Sequence, residues 1–176
     1  MIKGKLALTE KILKKQAKVA IIGIGYVGLP LALETARNNY DTIGIDTDEN
    51  KVQAVNRGES YITDVPSNQL AEVVQSGKLR ATKSYQACRD ADIITICVPT
   101  PFTAAKDPDV SSIVEAGKSL ARYLRPNQLI TLRSTTYPET TEKVLLPLLA
   151  ATGLKVGKDF YLSFAPERID PGNKVW

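Results

Sequence analysis

At 176 residues the chain is long enough for one substantial domain with its own core, and its 43% hydrophobic and 24% charged residues are ordinary for a globular protein. The net charge of +4 is mild, and the N-terminal lysines (Lys3, Lys5, Lys11, Lys14, Lys15, Lys18) have no aromatic residues between them, which argues against nucleic-acid binding. With no histidine, and with Cys88 and Cys97 in no metal-ligand spacing, structural zinc and histidine-based acid–base chemistry are set aside.

No run approaches the roughly 18 apolar residues of a membrane span. The N-terminus shows no signal-peptide apolar core, so a reduced, cytoplasmic setting is expected. Leu6 to Gln16 places Leu6, Leu8, Ile12 and Leu13 among lysines. It reads as a short amphipathic helix on the edge of the domain, with residues 1–17 preceding a domain over 18–176.

Val19 to Ile22 is a short apolar run, read as a buried parallel strand. Gly23, Gly25 and Gly28 follow with G-x-G-x-x-G spacing. Gly23 permits a tight turn, Gly25 lets backbone approach a diphosphate, and Gly28 lets the next helix pack closely on the sheet. That helix is expected over Leu29 to Asn38, with Leu31, Ala32, Leu33 and Ala36 on the sheet and Pro30 in its first turn. Thr42 to Ile45 is the second strand. It ends in Asp46, about 20 residues past the glycines, where a carboxylate accepts from both ribose hydroxyls and repels a 2′-phosphate. The expected cofactor is NAD. The competing reading is a glycine turn in another α/β protein, with Asp46 capping the next helix. Lys51, on the helix Glu49 to Asn56 capped by Asp48, either lies over the adenosine ribose or is simply exposed.

Gly58 to Pro66 reads as a loop and Asn68 to Ser76 as a helix. Leu79 to Thr82 is a strand, and Ser84 to Cys88 a short, partly exposed helix. Ala91 to Val98 is the clearest central strand, and Cys97 near its end is a packing residue rather than a nucleophile. Pro99-Thr100-Pro101 stops it. A helix through Tyr123 follows, with Ser111 or Ser112 as cap and Glu115 completing a capping box with Ser112. Leu129 to Leu132 is the fifth strand. Glu139 to Ala151 is a helix that Pro147 kinks or shortens. Phe160 to Phe164 is the sixth strand. Strands alternating with helices predict a doubly wound parallel α/β sheet, six strands in the order 3-2-1-4-5-6, with ligand-binding loops along one edge.

Gly-Ile-Gly-Tyr-Val-Gly-Leu-Pro (23–30), Val-Pro-Thr-Pro (98–101), Ser-Thr-Thr-Tyr-Pro (134–138) and Pro-Glu-Arg-Ile-Asp-Pro-Gly (166–172) together resemble the nucleotide-sugar 6-dehydrogenases. The resemblance is greatest to the UDP-N-acetylglucosamine/UDP-N-acetylmannosamine branch, where Leu-Pro follows the third glycine. It implies two successive NAD-dependent oxidations of a UDP-sugar C6 alcohol to a carboxylate, in polysaccharide biosynthesis. It also implies NAD contacts from Gly23, Gly25, Tyr26, Val27, Gly28, Asp46 and Lys51, with Thr100 and Thr135 on the nicotinamide side. Thr135 and Glu167 hold the catalytic water in this pattern, and Glu167 and Arg168 border the sugar. From the residues alone, without that resemblance, Thr135 reads first as a helix-entry hydroxyl and Glu167 as a loop salt bridge.

Two departures stand out. Glu139 occupies a position where the family has glycine, so bulk and charge are expected near the cofactor edge. The family's nucleophilic cysteine, catalytic lysine and aspartate, and its sugar-nucleotide domain lie beyond residue 176. The chain by itself is therefore expected to bind NAD without turnover, and the full-length enzyme to be a homo-oligomer. The alternatives are a stand-alone NAD-binding or redox-sensing module, and a different NAD-dependent hydroxyacid dehydrogenase.

Overall fold

The computed structural model describes residues 3–102 and 107–167. In chain order they form α1 (Lys3–Leu13), β1 (Lys18–Ile22), α2 (Gly28–Arg37), β2 (Asp41–Ile45), α3 (Glu49–Asn56), α4 (Ser67–Gln75), β3 (Leu79–Thr82), β4 (Ile93–Ile96), α5 (Ser111–Ala121), β5 (Leu129–Leu132), α6 (Leu146–Ala150) and β6 (Tyr161–Phe164). All six strands pair in parallel, in the order β3-β2-β1-β4-β5-β6. This is the predicted doubly wound sheet.

Alternation along β1 shows why it is central. Val19 and Ile21 pack on one face with Leu29, Leu33, Val52 and Leu70. Ala20 and Ile22 pack on the other with Ile94, Ile113, Leu120 and Phe160. Successive strand residues point to opposite faces, and helices cover both, so the strand is apolar throughout. Leu31, expected on the sheet, is only half-buried; Leu29 takes the place beneath α2.

Several local expectations are corrected. Cys88 is wholly buried, not partly exposed, because the 3₁₀ turn Tyr85–Arg89 tucks it against Ile94 and Ile96. Burial pushes its thiol up to about 12. The capping box at α5 does not form. No side chain caps the helix directly, and the Ser111 amide instead donates to Asp109 Oδ1 at 2.8 Å. Glu115 lies 3.6 Å from Lys118 Nζ. The segment 139–151 is not one α-helix. Pro147 has no N–H, and the turn before it, Thr141–Leu145, widens to π geometry before the short α6 begins.

Glu139 adopts φ +71°, the left-handed region where a side chain costs about 1 kcal/mol relative to glycine. Its carboxylate turns to Lys143 Nζ at 2.7 Å. It is not among the residues lining the cleft described below, contrary to the expectation of bulk at the cofactor edge.

The N-terminal helix is fastened to the opposite, amino end of the sheet. Asp92, 4% exposed, accepts from Lys11 Nζ at 2.7 Å, the Lys18 amide at 3.1 Å and Arg125 Nη2 at 3.2 Å. Tyr40 Oη donates to Ile12 O at 2.9 Å, and Lys15 Nζ sits 4.5 Å from the Tyr40 ring centroid. Leu8 is buried, but Leu13, expected on the apolar face, is 76% exposed.

Burial raises the Asp92 carboxyl, but the hydrogen bonds from Lys11, Lys18 and Arg125 outweigh it and hold the group below the usual carboxylate range. A depressed folded pKa contributes stability that is fully present above about pH 4 and is lost as pH falls through the folded value. Asp92→Asn is expected to lower stability at pH 7 by roughly 2 kcal/mol and to flatten the acid limb of the stability profile. Denaturant titrations from pH 3 to 7 read both effects. An unchanged midpoint at pH 7 would show that the clamp contributes nothing.

Candidate functional site

The carboxyl ends of five strands open into one cleft of about 730 Å³, lined from five loops. Gly23, Gly25, Tyr26 and Val27 come from the turn after β1. Asp46, Asp48 and Lys51 come from the end of β2 and the start of α3. Cys97 to Thr100 follow β4, Arg133 to Thr135 follow β5, and Glu167 follows β6. Strand order reverses between β1 and β4, so the cleft lies where open α/β sheets bind ligands. Its volume falls within the usual range for small-molecule sites.

The glycine turn is fixed by close packing. Gly23 has φ +86°, and a Cβ there would stand 2.7 Å from the Cys97 carbonyl oxygen. A Cβ on Gly28 would stand 1.8 Å from the Gly23 carbonyl oxygen, which no L side chain can occupy. Gly28 is thus the floor of the turn and not part of the cleft wall. Gly25 differs: a Cβ there would meet nothing within 4 Å. Its missing side chain leaves open space in the cleft, a cradle of the kind a diphosphate fills. No side chain caps the start of α2, which opens the helix's positive end to an anion.

Asp46 faces this turn. Its Oδ2 accepts from the Ile24 amide at 3.0 Å and its Oδ1 from the Asp48 amide at 3.0 Å. Each carboxylate oxygen has two acceptor sites, so capacity remains for ribose hydroxyls. Lys51 Nζ lies 3.7 Å from Asp46 Oδ2 and also lines the cleft, which places it at the site and not merely in solvent. Open space at Gly25, an uncapped helix start and an acceptor-only carboxylate fit a dinucleotide whose diphosphate meets the turn and whose ribose meets Asp46.

At the far end, Thr100 Oγ1 donates to the Thr135 carbonyl at 2.6 Å, and Ser134 Oγ to Val98 O at 2.7 Å. Thr135 Oγ1 donates to the Glu167 carbonyl at 3.3 Å. The Glu167 carboxylate is ion-paired with Arg133 Nη2, and its amide donates to the Arg133 carbonyl at 3.3 Å. The structure therefore brings Thr100, Thr135 and Glu167 together. It also realises the ion pair that the residue alone allowed for Glu167. Arg168 lies outside the described residues.

Cys97 borders the cleft at 8% exposure, and burial pushes its thiol up to about 12, against the opposing pull of Arg133. A protonated thiol at neutral pH is no nucleophile. Arg133 carries no motif that marks it in the sequence. The available signal was a charged residue at the carboxyl end of a buried strand, one position before Ser134. Tyr61, read as plain loop, also proves relevant: its Oη donates to the Ile24 carbonyl at 2.5 Å.

These glycine environments separate folding from binding. Gly28→Ala is expected to unfold or badly distort the turn. Gly25→Ala is expected to keep its melting temperature within a few degrees while NAD affinity falls about tenfold or more. Thermal unfolding and calorimetric titration of the two variants check this. Equal behaviour of the two would contradict the assigned roles.

Residues 17–176 match the family model described as UDP-glucose/GDP-mannose dehydrogenase family, NAD binding domain. The chain is 36% identical over 156 residues to UDP-N-acetyl-D-mannosamine dehydrogenase of Pyrococcus horikoshii, covering 88% of this chain and 37% of the relative. It is 33% identical over 161 residues to UDP-N-acetyl-D-glucosamine 6-dehydrogenase of Pseudomonas aeruginosa, covering 91% and 37%. Among solved structures it superposes with a TM-score of 0.85 and 31% identity on an NDP-N-acetyl-D-galactosaminuronic acid dehydrogenase from Methanosarcina mazei Go1, covering 98% of this chain and 38% of that one. A ternary complex of GDP-mannose dehydrogenase from Pseudomonas aeruginosa gives a TM-score of 0.83 at 30% identity, covering 88% and 37%. The chain thus spans less than two-fifths of the length of these relatives. It belongs to the UDP-glucose/GDP-mannose dehydrogenase family and corresponds to the family's NAD-binding domain.

Proposed function

We propose that the cleft holds NAD with its diphosphate on the turn Gly23, Gly25, Tyr26 and Val27, above Gly28, and its adenosine ribose on Asp46 with Lys51 alongside. The nicotinamide end then lies toward Thr100 and Thr135. The observation that supports this most is the meeting of Asp46 and the glycine turn across one cleft, with open space at Gly25. NAD supplies the hydride acceptor. The chain's own residues orient it and exclude a 2′-phosphate through the Asp46 charge.

We further propose that the chain serves an enzyme oxidising the C6 alcohol of a UDP-N-acetylhexosamine to a carboxylate in two NAD-dependent steps. The relatives' names support that substrate class. Thr135 and Glu167 would hold the water that hydrolyses the thioester left by the second oxidation on the family's nucleophilic cysteine, where a positioned carboxylate serves as general base. Arg133 orients that carboxylate and balances its charge. Arg168 would border the sugar. The family's nucleophilic cysteine has no counterpart in Cys88 or Cys97, both buried. Residues 1–176 alone are therefore proposed to bind NAD without oxidising a sugar. Homo-oligomerisation would belong to the full-length enzyme. No helix among the described residues is long and apolar enough to cross a membrane. A cytoplasmic location suits a nucleotide-sugar substrate.

Calorimetric titration is expected to show NAD binding at least about tenfold tighter than NADP, with Asp46→Asn narrowing the ratio severalfold. UDP-N-acetylglucosamine and UDP-N-acetylmannosamine are expected to yield no NADH with this chain. Equal affinity for NAD and NADP would overturn the Asp46 assignment. NADH production would overturn the proposal of inactivity.

A further inference from the structure

The peptide joining Ile24 to Gly25 is gripped by a residue from outside the glycine motif. Tyr61 Oη donates to the Ile24 carbonyl at 2.5 Å, across 37 positions of sequence. Tyr61 has little freedom to move. Its neighbour Ile62 is 5% exposed and packs in the core with Val65. The Ser60 amide donates to Ser67 Oγ at 3.0 Å, and the Ile62 amide to Ser60 Oγ at 3.1 Å. The adjoining peptide is held too, because the Ile24 amide donates to Asp46.

In a planar trans peptide the carbonyl and the N–H point in opposite directions. Fixing the Ile24 carbonyl on the Tyr61 side therefore aims the Gly25 N–H the other way. Gly25 lines the cleft and Tyr61 does not. Among the described residues the Gly25 N–H has no acceptor. We propose that Tyr61 is a positioning residue for anion recognition, orienting the Gly25 amide toward the diphosphate of a bound nucleotide. The proposal rests on the reading that this cleft binds NAD. It adds that the pre-set direction of this amide is supplied by a side chain in the loop after α3.

The phenol is suited to the task. Burial, then the charges of Asp46 and Asp48, push it well above the usual tyrosine range. At neutral pH it is therefore protonated and can donate. A donor fixed in advance spares the turn from ordering itself when ligand arrives.

The test compares three ligands on the wild-type chain and on Tyr61→Phe, which removes only the hydroxyl. NAD and ADP carry the diphosphate, and adenosine does not. Tyr61→Phe is expected to bind NAD and ADP about fivefold more weakly, with adenosine affinity unchanged. A general loosening of the domain would weaken all three together, and that result would overturn the proposal. So would NAD and ADP affinities equal to wild type. If the wild-type chain binds none of the three, the reading of the cleft itself fails. Should Tyr61→Phe not fold, the wild-type amide spectrum decides. The Gly25 N–H resonance is expected to move on adding ADP and to stay put with adenosine. A Gly25 resonance indifferent to ADP would overturn the assignment.

Discussion

The structure depends on one hydrogen bond between neighbouring strand ends. Asp46, closing β2, reaches back to the amide of Ile24, in the turn that leaves β1. That bond makes the glycine turn and the Asp46 carboxylate a single rigid unit. The parallel pairing of β1 with β2, Ile22 opposite Ile45, sets both ends at the same height. The Gly23 amide then donates to the Ile45 carbonyl at 2.7 Å, extending the ladder into the turn. Geometry at the cleft is thereby inherited from the sheet and not left to mobile loops.

The same logic recurs along the sheet edge. Cys97 and Arg133 amides donate to the strand beside each, at Ile22 and Ile96. Glu167 is tied to Arg133 through both backbone and side chain. Gly23, Asp46, Cys97 and Arg133 thus each sit one position past a strand whose register is already fixed, and Gly25, Thr100, Thr135 and Glu167 follow within three or four positions of a strand end. The amino end of the sheet carries the complementary load. Asp92, Arg125 and Gln128 satisfy the backbone where the strands begin. Gln128, fully buried, donates to the Cys88 and Ala91 carbonyls at 2.7 Å each. The buried polar clamp and the candidate cleft thus lie at opposite ends of the sheet.

What the sequence disclosed was local or periodic. The glycine spacing, the acid closing β2 and the apolar runs each act within a few residues, and all six strands and their order were readable from them. Pairings across long stretches of chain were not. Arg133 finds Glu167, and Tyr61 finds Ile24, only after the fold brings them together. Cys88 looked exposed because its helix is short, yet the 3₁₀ turn folds inward over α5. Asp109 displaced the expected serine cap because an aspartate two residues before an amide closes an equally good local ring. Pro147 was recognised as disruptive, but the widened turn before it follows from packing that residue spacing does not encode. Glu139 was placed near the cofactor because of its neighbours, whereas its left-handed backbone sends the carboxylate to Lys143.

One unit, turn plus Asp46, is proposed to hold both the diphosphate and the adenosine ribose. A crystal structure of this chain grown with NAD tests it most directly. The diphosphate is expected within hydrogen-bond distance of the Gly25 amide, and both adenosine-ribose hydroxyls on Asp46. Cofactor bound with its ribose remote from Asp46, or with its diphosphate away from the glycine turn, would contradict it.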